Sequence, residues 1–102
     1  MNLAIDMGNT KIVIGSVDEE KVLFEERLAT DLSKTELEYV VIFKTVLELY
    51  GIEKEKVTGA IISSVVPQLD NIIKSAVYKL IKVEPMVVGL RVKTVLDILM
   101  DE

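Results

Sequence analysis

The chain contains no cysteine and no histidine. Their absence removes disulfides, Cys/His zinc sites, thiol nucleophiles and Ser-His-Asp chemistry. Any chemistry must come from carboxylates, hydroxyls, lysines, backbone amides or a bound ion. Positive charge is also scarce: twelve Lys and Arg stand against seventeen Asp and Glu, a formal net charge of −5. No Lys/Arg run offsets that balance. Nucleic acids and anionic membrane surfaces call for clustered cations, so neither is an expected partner. Long apolar runs are missing too. The stretches at 39–43 and 61–66 are far too short to span a bilayer, and the first residues do not read as a secretory signal. A cytoplasmic protein is the expectation.

What is present is a chain of 102 residues, half of them apolar and 28% charged. That balance makes it globular rather than disordered, and the length suits one small domain or part of a larger one. Residues 2–7 and 12–17 are apolar or β-branched runs on either side of a polar turn. The charged triplet Asp18, Glu19 and Glu20 reads as a solvated hairpin tip, followed by a third strand over 21–29. Connections this short predict an antiparallel meander. Ser33 and Glu36 match a capping box. Leu37, Val40, Val41, Phe43, Val46, Leu47 and Tyr50 then follow at helical spacing and predict a broad, largely buried face, with Gly51 at the helix stop.

After a charged connection at 52–56, residues 57–66 form a nearly continuous apolar run. Such a run predicts a strand of a parallel sheet covered on both faces. Pro67 suits a first helical position, and Leu69, Ile72, Ile73, Ala76, Val77, Leu80 and Ile81 keep helical spacing. Lys79 and Lys82 sit where a helix C-terminus favours cations. Residues 85–89 read as a short buried strand, and Val92, Val95, Leu96 and Leu99 again have helical spacing. The predicted order is βββαβαβ.

The most informative stretch is the first turn. An apolar strand delivers Asp6 into the turn Gly8, Asn9, Thr10 and Lys11, and a second strand begins at Ile12. Gly8 lets backbone approach a ligand and permits φ > 0. Amides around such a turn form a positive concavity for an anion. Asn9 and Thr10 offer side-chain donors and Lys11 a charge. Asp6 repels phosphate, so its role here is to hold Mg²⁺, which binds through one or two carboxylates and keeps several waters. The competing reading is an ordinary hairpin turn whose N–H groups Asp6 accepts. Burying an aspartate in an apolar strand without a partner is costly, which weighs against that alternative.

Three antiparallel strands followed by αβαβ is the plan of the ribonuclease H-like half-domain of the actin-like and sugar kinase ATPases. Fold alone does not fix function. The residues narrow it. Leu3 to Thr10, then Arg27-Leu28-Ala29-Thr30-Asp31, Thr35, Glu38-Tyr39 and Ile61-Ile62-Ser63-Ser64-Val65-Val66-Pro67 resemble the N-terminal part of type III pantothenate kinases. Val87-Val88-Gly89 and Val92-Lys93-Thr94 extend the resemblance. It implies ATP-dependent phosphorylation of pantothenate on its 4′-hydroxyl, the first step of coenzyme A biosynthesis. It implies Mg²⁺, a monovalent cation (K⁺ or NH₄⁺) and a homodimer or other homo-oligomer. It places the ATP loop on Asp6, Met7, Gly8, Asn9, Thr10, Lys11, Ile12 and Val13, with Asp6 toward the metal.

The resemblance also has a boundary. Family members are longer and carry a Gly-Ala-Asp-Arg motif whose aspartate is the general base; these 102 residues do not contain it. Leu90 stands where the family has proline, and Val95 where it has glycine. Asp97, Asp101 and Glu102 read as solvated charges outside any motif. Residues 1–102 are therefore expected to be one ATPase lobe, truncated at its C-terminal end and inactive alone. Two rival readings stay open: a non-catalytic interaction module of the same fold, and a kinase for another small alcohol. Ser63 and Ser64 either line a cleft or merely end their strand and cap the next helix. Arg27 and Thr30 shape a cleft wall, a dimer surface or a turn, and Tyr39, Phe43 and Tyr50 are expected to pack the helix.

Overall fold

The structure, a computed structural model, describes residues 1–88. Strands β1 (Asn2–Met7), β2 (Lys11–Asp18) and β3 (Lys21–Ala29) form the antiparallel meander. Helix α1 (Glu36–Leu49) leads through a short 3-10 turn (Lys54–Lys56) to β4 (Gly59–Ser64). Helix α2 (Pro67–Ile81) then leads to β5 (Met86–Val88). The sheet order is β3-β2-β1-β4-β5, with β4 parallel to both β1 and β5. This is the ribonuclease H-like plan expected from the element order. Residues 89–102, with the helical spacing and the family departures noted above, lie outside the described residues.

Side chains alternate across a strand, so one face of each strand can be apolar. Leu3, Ile5 and Met7 of β1 join Ile12 and Ile14 of β2 and Ile62 of β4 on the buried face. Tyr39 and Phe43 of α1, and Leu69, Ile73 and Val77 of α2, complete that core with essentially no exposure. Each such large side chain contributes about 1.5–3 kcal/mol by leaving water. Asp6, between two of the core residues, belongs to the opposite face of β1.

The helix ends follow local chemistry, with one correction. The capping box of α1 is Thr35 with Glu38, not Ser33 with Glu36. Ser33 gives both its amide and its hydroxyl to Asp31, at 2.8 and 2.6 Å, and Glu36 pairs with Lys79 of α2. Gly51 ends α1 at φ +66°, and the amides of Gly51 and Ile52 reach back to the carbonyls of Glu48 and Leu47. Pro67 is the first residue of α2.

Two burial expectations are overturned. Leu37 and Val41 of α1 are 68% and 54% exposed; the buried face is Tyr39, Phe43, Val46 and Leu47. β5 is not a buried strand: it ends the sheet order, and Met86 is 62% exposed. An edge strand has a neighbour on one side only, so apolar composition there does not ensure cover.

Candidate functional site

β1, β3, β4 and β5 all run in one direction, because β2 is antiparallel to both its neighbours. Their carboxyl ends therefore share one rim of the sheet, the place where α/β folds gather ligands. The β1–β2 turn, the segment after β3 and the β4–α2 junction all meet there.

In the turn, the Gly8 amide donates to the Lys11 carbonyl at 2.9 Å. A Cβ on Gly8 would stand 3.1 Å from that carbonyl oxygen. The glycine is thus set by close backbone approach. Its φ is not positive: among the described glycines only Gly51 has that conformation. The expected use of φ > 0 at Gly8 is corrected accordingly.

Thr30, one residue beyond β3, braces the turn from one side. Its hydroxyl donates to the Gly8 carbonyl at 2.8 Å and its amide to the Thr10 carbonyl at 3.0 Å. Asp31 is fixed in turn. Its amide donates to the Tyr39 hydroxyl at 3.2 Å, and that hydroxyl donates to the Asp31 carbonyl at 2.7 Å. The Asp31 carboxylate accepts from the hydroxyl and amide of Ser33 and from Lys34, which hold its pKa down at about 2.

Asp6 is half-buried one residue before the end of β1, flanked in register by Ser63 of β4 and Val13 of β2. Ser63 is buried, and neither it nor Asp6 lacks an interaction partner. Ser64 accepts the Val66 amide at 2.9 Å, so it serves the strand-to-helix junction. The Val65 amide donates to the Met7 carbonyl at 3.1 Å and ties that junction to β1. Asn9, Thr10 and Lys11 are exposed, and among the described residues their side chains form no hydrogen bond or ion pair. Met7 and Ile12 are fully buried in the core, which leaves only their backbone for a ligand.

A cleft of about 270 Å³ opens beside the turn, lined by Thr10, Lys11, Arg27, Leu28 and Ala29. Arg27 thus forms a cleft wall, while also pairing with Glu25. A larger cleft of about 370 Å³, sharing none of these residues, lies against Glu36, Lys74, Lys79 and Glu84. Its charges pair off as Lys79–Glu36 and Lys74–Glu84. The rim cleft keeps Lys11, a cation with no ion pair among the described residues, next to bare backbone, which is the better setting for an anion. Sequence reading did not assign the bracing role to Thr30. Its position just past a meander strand was the available signal.

A divalent ion fits this donor set in a limited way. Among the described residues no three acidic or imidazole groups cluster, so no all-protein cage exists. A single carboxylate beside the turn is the kind of donor that suits Mg²⁺ arriving already bound to another ligand, since that ion binds through one or two carboxylates and keeps several waters. No helix among the described residues is long and apolar enough to cross a membrane.

The family profile described as type III pantothenate kinase matches residues 2–102. A type III pantothenate kinase of Finegoldia magna is 44% identical over 92 residues, which are 90% of this chain and 35% of that protein. The chain therefore spans about a third of the length of that relative. Among solved structures, the ROK hexokinase of Thermus thermophilus superposes with a TM-score of 0.59 at 15% identity, over 85% of this chain and 34% of that one. Thermus thermophilus RuvC, in complex with a Holliday junction substrate, gives 0.57 at 21% identity, over 93% and 68%. A sugar kinase and a junction-binding protein on one backbone plan show that the likeness is one of fold alone. The sequence match is of another kind: it runs through the turn, the Thr30 segment and the β4–α2 junction, and by it the chain belongs to the type III pantothenate kinase family.

Proposed function

We propose that residues 1–102 form one lobe of an ATP-dependent pantothenate kinase, and that this lobe holds the phosphates of the nucleotide. One juxtaposition carries the reading: Asp6 and the turn at 8–11 share the carboxyl rim of the sheet, with Lys11 and Arg27 at the adjoining cleft. Backbone amides, the Asn9 and Thr10 side chains and Lys11 bind phosphate oxygens. Asp6 holds Mg²⁺ with the phosphates; the ion, when bound, neutralises their charge. In-line phosphoryl transfer asks little covalent chemistry of the protein, so positioning and charge neutralisation are its contribution.

In the complete protein the reaction is transfer of the γ-phosphate of ATP to pantothenate, in the cytoplasm, with a monovalent cation (K⁺ or NH₄⁺) as a further cofactor. The general base belongs to a motif that these residues do not contain, so the chain alone binds nucleotide without turnover. Assembly into a homodimer or other homo-oligomer is favoured by the exposed Leu37, Val41 and Leu49 on α1.

Calorimetry with MgATP on the 102-residue chain and its Asp6→Ala variant tests the nucleotide reading. The native chain should bind, and the variant should bind about ten- to a hundredfold more weakly, the equivalent of roughly 1.5–3 kcal/mol for a charged contact. Identical titrations for the two chains would remove Asp6 and the turn from the site.

A further inference from the structure

We infer that Thr30 is the positioning residue of the phosphate turn, setting the direction in which the Asn9 and Lys11 amides point. The inference rests on the nucleotide reading above and adds to it the residue that makes the turn an anion site.

A hairpin turn presents carbonyls as readily as amides, and a carbonyl oxygen facing a phosphate repels it. In this turn three of the four carbonyls are committed elsewhere. The Gly8 carbonyl accepts the Thr30 hydroxyl at 2.8 Å, the Thr10 carbonyl accepts the Thr30 amide at 3.0 Å, and the Lys11 carbonyl accepts the Gly8 amide at 2.9 Å. No peptide bond among the described residues is cis. In a planar trans peptide the N–H is antiparallel to the C=O. Two carbonyls drawn toward Thr30 therefore send the N–H groups of the next residues, Asn9 and Lys11, away from it. One side chain and its own amide thus orient two donors at once.

Thr30 can do this because it is itself fixed. The backbone of Asp31 is held on both its amide and its carbonyl by the hydroxyl of Tyr39, which has no exposure. The clamp thus runs from the core of α1 through Asp31 to Thr30 and the turn. Register places Thr30 there as well. Lys11 faces Ala29 only because a bulge at Ser16/Val17 adds one residue, Leu23, to β3. Without it, the chain would bring Ala29 opposite Thr10, and Ala29 has no hydroxyl.

The test compares native chain, Thr30→Val (same shape, no hydroxyl) and Thr30→Ser (hydroxyl kept) by calorimetry with MgATP and by amide NMR. The expected result is binding about fivefold weaker in Thr30→Val, the scale of one hydrogen bond, and within about twofold of native in Thr30→Ser. The Asn9 amide proton should move downfield with MgATP in native and Thr30→Ser chains and stay in place in Thr30→Val, whereas the Lys11 amide, set by the backbone amide of residue 30, should move in all three. Native-like affinity in Thr30→Val, or equal losses in both variants, would overturn the assignment while leaving the nucleotide site standing. No MgATP binding by the native chain would overturn both. Should Thr30→Val not fold, the native chain decides alone: bound MgATP with unmoved Asn9 and Lys11 amides also overturns it.

Discussion

Replacing Tyr39 by Phe removes one oxygen atom from the clamp beneath the candidate site. The ring stays, and so does its tilted contact with Phe43 at 5.9 Å between centroids. What goes is a hydroxyl that donates to the Asp31 carbonyl at 2.7 Å and accepts from the Asp31 amide at 3.2 Å. A hydrogen bond contributes about 0.5–1.5 kcal/mol net, so two are equivalent to roughly 1–3 kcal/mol. Asp31 is only half-buried, so water replaces part of the loss; a destabilisation of about 2 kcal/mol is expected. For a domain of this size that lowers Tm by roughly 8–16 °C. Urea unfolding measures the free energy directly, and an unchanged m-value would show that compactness is preserved. Tyr50→Phe is the matched control. Its hydroxyl donates to Glu26 at 2.6 Å on an exposed face, so its loss should cost less than about 0.5 kcal/mol. If Tyr39→Phe is as stable as native, or no worse than Tyr50→Phe, the clamp does not hold the Thr30 segment.

Two further outcomes follow from local chemistry. The hydroxyl and amide of Ser33, with Lys34, depress the Asp31 pKa from 3.8 to about 2. A folded pKa below the unfolded one contributes stability in full above pH 3.8 and loses it as pH falls through about 2. A carboxyl-carbon NMR titration of Asp31 with its midpoint near 3.8 would contradict this. Thr35→Ala should destabilise by about 1 kcal/mol in thermal or urea unfolding, because it removes the N-cap of α1. A larger loss of α1 stability in Ser33→Ala than in Thr35→Ala would return the cap to Ser33.

Local pattern set much of this protein. β1 at 2–7, β3 at 21–29, Pro67 opening α2 and Gly51 closing α1 are all written in short-range chemistry: apolar alternation, a fixed proline φ and a glycine that accepts φ > 0. The same holds for the turn at 8–11, where residue types alone named the candidate ligand.

Other features depended on contacts between distant residues. Ser33–Glu36 and Thr35–Glu38 fit the same capping pattern, and the choice fell to Thr35 because Ser33 bonds Asp31 while Glu36 pairs with Lys79 of α2. Apolar composition could not tell the covered Phe43 from the exposed Leu37, nor show that β5 would lie at an edge. The largest such effect is the extra residue in β3. A one-residue shift in strand register leaves hydropathy almost unchanged, yet it decides whether a hydroxyl or a methyl group arrives beside the turn. Sequence supplied the groups that can bind an anion; pairing across the sheet fixed which way they face.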